Sequence, residues 1–237
     1  MDSRELLVQE IVACIDAQTQ TAAEWHTKEP DKSLGRLDGN ADDTLLCLVL
    51  RQHLMNFTLW HVEDTARRKD VDDSVIADCK RRIDTWNQRR NDAMEEVDAC
   101  LVARIAPLLP APTPGLRVRR NTESLGMAMD RLSIMALKIF HMAEQIARSD
   151  ADAEHRANCA AKLATLEKQR TDLATAVFDL LDDFCTGAKR PHTYYQFKMY
   201  NDPALNPEIY VNCSTPVTGE CGDVRAFGCP CAEEIKE

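Results

Sequence analysis

The feature that most limits what this chain can fold into is one long apolar stripe. Ile76, Cys79, Ile83, Trp86, Met94, Val97, Leu101 and Ile105 all fall on one side of a helix turning about 100° per residue. A strand repeats every second residue, so it cannot carry this pattern. The stripe predicts a helix that starts after Asp72-Asp73-Ser74 and ends near Ile105.

Four more stretches show the same period. The first runs from about Ser3, a candidate N-cap, to Thr27, with Leu7, Ile11 and Ile15 on one face. The second, from about Asp43 to Lys69, aligns Leu46, Leu50, Phe57 and Trp60. The fourth starts near Thr122 and runs to about Arg148. The fifth follows Ser149-Asp150 and ends near Thr186, with Gly187 as its C′ residue. Its seam is Cys159, Leu163, Leu166, Leu173, Val177, Leu180 and Phe184, whose heptad-like spacing suits coiled-coil packing on a neighbour.

Breaks separate these stretches. Pro30, Gly35, Gly39 and Asn40 divide the first two. Residues 107–121 form a stiff connection containing Pro107, Pro110, Pro112, Pro114 and Gly115. Each side of it has too few helices to bury its own stripes, so the expectation is one all-α multi-helix bundle spanning 1–211. Past Pro191 the pattern fades. His192 to Asn212 holds Tyr194, Tyr195, Tyr200 and Tyr210 and reads as an irregular arm packed on the bundle. Residues 212–237 read as a flexible tail rich in Cys, Gly and Pro.

Charge narrows the function classes. A formal net charge of -10 opposes any general attraction to nucleic acid or anionic lipid. The chain opens on Met1-Asp2-Ser3-Arg4-Glu5 with no apolar segment behind it, and its longest apolar run, Leu45 to Leu50, is too short to span a bilayer. The expected setting is the cytoplasm. There, Cys14, Cys47, Cys79, Cys100, Cys159 and Cys185 are read as small buried hydrophobes.

Several polar positions ask for more than a solvated surface. On the second helix His53, His61, Asp64 and Arg68 fall near the Leu46–Phe57 face. Groups buried there need partners, so they form either a structural network or a polar pocket. On the third helix Asp84, Asn87, Asn91, Glu95 and Asp98 follow one another at intervals of three, four, four and three. That stripe either presents carboxylates and amides to a divalent ion or is simply wet. Spacing alone makes Glu123, Gly126, Asp130, Ser133, His141, Glu144 and Arg148 the wet side of the fourth helix. No His-Glu-x-x-His, paired Cys-x-x-Cys, phosphate-binding Gly-rich loop or nucleophile elbow is present. Cys213, Cys221, Cys229 and Cys231 in the tail could close around zinc or Cu(I), but their spacing matches no standard zinc module.

Four runs carry a family resemblance. They are Asn56-Phe57-Thr58-Leu59-Trp60-His61-Val62-Glu63-Asp64, and Arg82-Ile83-Asp84-Thr85-Trp86-Asn87-Gln88-Arg89-Arg90-Asn91-Asp92. The third is Thr122 to Gly126, continuing through Asp130 to Ile134 and Leu137 to Ile139. The fourth is Gln196 to Pro203, ending at Leu205-Asn206-Pro207. In this order, over about Leu45 to Val211, they resemble a bacterial family called domain of unknown function 4254. The resemblance implies a helical protein with no established activity, often encoded near glycosyltransferases and other envelope-polysaccharide genes. The Cys-rich tail departs from that pattern.

The motifs fall on His61, Asp64, Asp84, Asn87, Asn91, Glu123, Asp130 and Ser133, which turns the expectation towards a polar pocket between the second, third and fourth helices. Asp64, Asp84 and Asp130 would hold Mg²⁺ or Mn²⁺ or act as base, His61 would shuttle a proton, and Arg68 or Arg131 would meet an anionic group. The ligand would be a phosphorylated or sugar-linked metabolite. The rival reading is a non-catalytic partner of an envelope-assembly enzyme, with its polar networks structural. All-α nucleotide pyrophosphohydrolases are disfavoured, because their paired Glu-x-x-Glu helix motif is absent. Oligomerisation of the chain with itself is left open.

Overall fold

A computed structural model of the chain describes residues 2–30, 44–111, 115 and 118–210. Five long helices appear where the periodicity places them: α1 (Ser3–Glu24), α2 (Leu45–Ala66), α3 (Asp73–Ile105), α4 (Leu125–Ala147) and α5 (Ala153–Cys185). The described residues contain no strand, only an isolated parallel bridge between Arg119 and Lys189.

The helix ends follow from local chemistry. α1 starts one residue earlier than expected: Asp2 is its N-cap, and Glu5 reaches back to accept from the Asp2 N–H at 3.1 Å. Thr44, Ser124 and Asp152 cap α2, α4 and α5 by accepting from the backbone N–H three residues on. Gly187 ends α5 at φ +77°, the left-handed conformation that costs a glycine nothing.

Short turns make hairpins of α2 with α3 and of α4 with α5, and these are the two most extensive helix contacts. α1 packs on α2 and α4, while α3 meets α4. The proline connection begins with a 3-10 turn, Ala106–Leu108. It then passes the end of α5, where Arg190 donates to the Pro110 carbonyl at 2.6 Å.

All five helices contribute to one core that includes Ile11, Val49, Leu101, Leu132 and Leu181. A second, smaller cluster gathers Ala22, Phe57, Ala136 and Leu137, with Trp25, Trp60 and Phe140 against it. α2 is the central helix, buried around its whole circumference from Arg51 to Phe57. That corrects the single-stripe reading: Leu46 is exposed and Leu50 only half-buried. Cys14, Cys79 and Cys159 are buried, Cys47, Cys100 and Cys185 half-buried, and all six carry free thiols.

The chain divides into two compact units, residues 1–196 and 197–237. The described part of the second holds a 3-10 turn at Met199–Asn201 and a short helix, α6 (Pro207–Tyr210), with Asn206 donating to the Tyr200 carbonyl at 2.7 Å. Cys213, Cys221, Cys229 and Cys231 lie outside the described residues.

Candidate functional site

A dry polar seam joins the two hairpins, and Asp130 on α4 is its centre. The Asp130 carboxylate is buried. Its Oδ1 accepts from Asn56 Nδ2 at 3.0 Å and from Arg90 Nε at 2.8 Å, and also from Gln52 Nε2; Arg90 Nη2 donates to Oδ2. The pair is a two-pronged guanidinium–carboxylate bridge, the geometry in which arginine outperforms lysine. Beside it, Ser133 Oγ accepts from Asn56 Nδ2 at 2.9 Å and lies 2.7 Å from His53 Nδ1.

Burial sets the charge states here. The carboxylate of Asp130 beside it raises the pKa of Arg90, so the guanidinium stays charged. Burial alone pushes the His53 imidazole down to about 3, so it is neutral at any physiological pH. His53 Nε2, Gln52 Oε1 and Asn91 Nδ2 are buried without a hydrogen-bond partner among the described residues, and His53 packs against the Trp25 ring at 5.0 Å.

A second contact fixes where α3 crosses α4. Asp98 accepts from the Gly126 N–H at 2.7 Å, placing a carboxylate at the positive end of α4. Burial raises its pKa, against the hydrogen bonds from Ser124 and Gly126. A Cβ on Gly126 would stand 2.7 Å from both Asp98 Cγ and the Met94 carbonyl oxygen, so only glycine allows this approach. The polar side of α4, wet by spacing alone, is thus buried at Gly126, Asp130 and Ser133.

At the edge of the seam a cavity of about 390 Å³ opens between α2 and α3, floored by Ile134 and Leu137. Asn56, Trp60, Asp64, Arg67, Asn87 and Arg90 reach it. Arg90 therefore has two faces, one bonded to Asp130 and one turned to the cavity. Asp64 is exposed and its carboxylate makes no hydrogen bond to a described residue.

The expected three-carboxylate site does not form. Among the described residues no three His, Cys, Asp or Glu side chains stand together where they would hold a metal ion. Asp130 is taken up by its donors, Asp84 pairs along its own helix with Lys80, and Asp64 lies at the cavity. Arg68 is off the core stripe because α2 ends at Ala66; it bonds Asp70 at 2.8 and 3.1 Å in the turn that follows. His61 is exposed, while Leu59 and Val62 on either side of it are buried, so it lies on the uncovered face of α2. Glu123 and Arg131 pair with each other at 2.7 and 3.0 Å, away from the seam. Of the expected residues, Asp64 and Asn87 meet at the cavity, while Asp130 and Ser133 meet in the seam; Asn91 is buried on α3.

Spacing did not single out Gln52, Asn56 or Arg90. The signal available was the density of polar residues in Arg51-Gln52-His53 and Asn56 on a helix otherwise apolar.

An all-α bundle of two hairpins locked through a buried polar seam, with a mixed-charge cavity at its edge, is the class that fold and site define. The chain belongs to the family described as protein of unknown function (DUF4254), whose model matches residues 46–193 and so takes in both seam and cavity. No curated protein and no solved structure matches the chain. No helix among the described residues is long and apolar enough to cross a membrane.

Proposed function

We propose that the cavity between α2 and α3 binds a phosphorylated or sugar-linked metabolite in bacterial cell-envelope polysaccharide metabolism, in the cytoplasm. The observation that carries this reading is Arg90. Asp130 holds two of its five N–H donors and leaves the others for an anionic group in the cavity. A guanidinium fixed in this way loses little freedom on binding. Asn87 brings an amide, and Asp64 a carboxylate with no hydrogen bond to a described residue, which suit sugar hydroxyls. Trp60 offers a flat apolar face. Asp64 is also the group placed to take a proton if the metabolite is processed.

Calorimetric titration with a hexose 1-phosphate and with a nucleotide sugar tests this. Asn87→Ala and Asp64→Asn leave the bridge to Asp130 untouched and should each weaken binding about tenfold, equivalent to about 1.4 kcal/mol, and Asp64→Asn should do so without changing the melting temperature. A ligand present at a hundred times its Kd adds about 2.7 kcal/mol of stability. If neither compound raises the melting temperature, or if the two substitutions leave binding unchanged, the cavity is not the site.

A further inference from the structure

A group of imidazoles outside the cavity remains to be explained. His26 lies in the turn after α1, His61 on α2 and His141 on α4. Their ring centres are 4.8 Å apart for His26–His141, 5.1 Å for His26–His61 and 6.0 Å for His61–His141. Phe57, Trp60 and Phe140 pack around them, with Trp60 stacked on His141 at 4.6 Å and Phe140 on His26 at 4.1 Å.

The hydrogen bonds fix which nitrogens are free. His26 Nδ1 is 2.5 Å from the Ala22 carbonyl oxygen, and His141 Nδ1 is 2.8 Å from Glu144 Oε2. Both oxygens accept, so each neutral ring carries its proton on Nδ1 and leaves a lone pair on Nε2. Those two Nε2 atoms are buried and have no hydrogen-bond partner among the described residues. An imidazole bound by carbonyl or carboxylate at one nitrogen and bare at the other is prepared to ligate a metal.

We propose that His26, His141 and His61 bind one divalent transition-metal ion of the zinc class through their ring nitrogens. The spacing fits: imidazoles arranged tetrahedrally with Zn–N of about 2.0 Å have ring centres about 5 Å apart. The three donors do not surround one point as the rings stand. His61 supplies the closing movement, because its ring is exposed and makes no hydrogen bond to a described residue, so it can change rotamer. Burial and the neighbouring His26 and His141 rings lower the His61 pKa, against the pull of Asp64 and Glu144, so its ring is neutral and its lone pair available. The surrounding aromatic rings limit water, which strengthens the bonds the ion makes. A fourth position stays open for water or an external ligand.

The test is a titration of the reduced full-length chain with Co²⁺ and then Zn²⁺, followed by absorbance and thermal unfolding. The expected result is one equivalent of Co²⁺ with visible bands, no thiolate charge-transfer band in the near ultraviolet, and displacement by Zn²⁺ with a raised melting temperature. His26→Gln with His141→Gln should lose about 100-fold in affinity, and Glu144→Gln about tenfold through loss of the Nδ1 partner. Cooperative unfolding of each variant establishes that it is folded; His61→Ala, which removes an exposed ring, supplies an independent variant and should also lose the bands. The proposal is overturned by the absence of cobalt bands, by bands that persist unchanged in the histidine variants, or by a purely thiolate spectrum from cysteines.

Discussion

α2 carries two polar groups only a few residues apart, and they have opposite characters. From Gln52 to Asn56 its polar side chains are dry and committed to Asp130 and Ser133. From Trp60 to Arg67 similar residue types border open space, and the Asp64 carboxylate makes no hydrogen bond to a described residue. The chemistry of the side chains does not separate the two groups; the depth of cover over the helix does. The first group can hold the hairpins together because water does not compete for its donors, and the second can exchange partners because water does.

The largest effect should come from Asp130→Ala. It strands the Arg90 guanidinium and removes the acceptor of Gln52 and Asn56, so stability measured by urea unfolding should fall by about 3–5 kcal/mol. A loss below about 1 kcal/mol would place the seam with the surface pairs. Gly126→Ala comes next: its Cβ meets Asp98 and the α3 backbone, and forcing them apart should cost about 1–3 kcal/mol.

The third test uses pH. His53 is neutral when folded, with its pKa depressed to about 3 against an ordinary 6.5. The unfolded chain therefore takes up a proton that the folded chain refuses. The stability due to neutral His53 is complete above about 6.5 and is lost as pH falls from there towards 3, at up to about 1.4 kcal/mol per pH unit. His53→Gln should flatten that part of the stability–pH curve, and an unchanged slope would show that His53 is not the group responsible. The smallest effect belongs to Asp84→Asn, which removes only an exposed pair with Lys80 and should stay within about 0.5 kcal/mol.

The helices were legible because each one that faces a core on one side must show its period. The α3 stripe from Cys79 to Ile105 is buried at Cys79, Met94, Val97, Leu101 and Ile105. The site was less legible, for a related reason. α2 is covered on every side at its middle, so it has no dry and wet faces there for a period to separate. The stripe drawn from Leu46 to Phe57 leads through His61 and Asp64 to Arg68, but near its end α2 is covered on one side only, at Leu59 and Val62, and Arg68 lies past the end of the helix. Asp130 and Ser133 were found through the family's motifs, whereas periodicity assigned them to water. Arg90 lies inside one of the family's motifs, but the sequence does not mark it, because which of two neighbouring arginines turns inward depends on the partner helix. Arg89 instead sits over the Trp86 ring at 4.9 Å.

The seam also acts as a registration key for assembly. Each hairpin forms from neighbours in sequence, so both can arise early and separately. Apolar side chains tolerate more than one alignment when such hairpins dock. Asp130 does not: a slip of one helical turn, about 5.4 Å, would carry it away from Gln52, Asn56 and Arg90 together. A carboxylate would then be buried without its donors, so a misaligned bundle should come undone faster than it can settle.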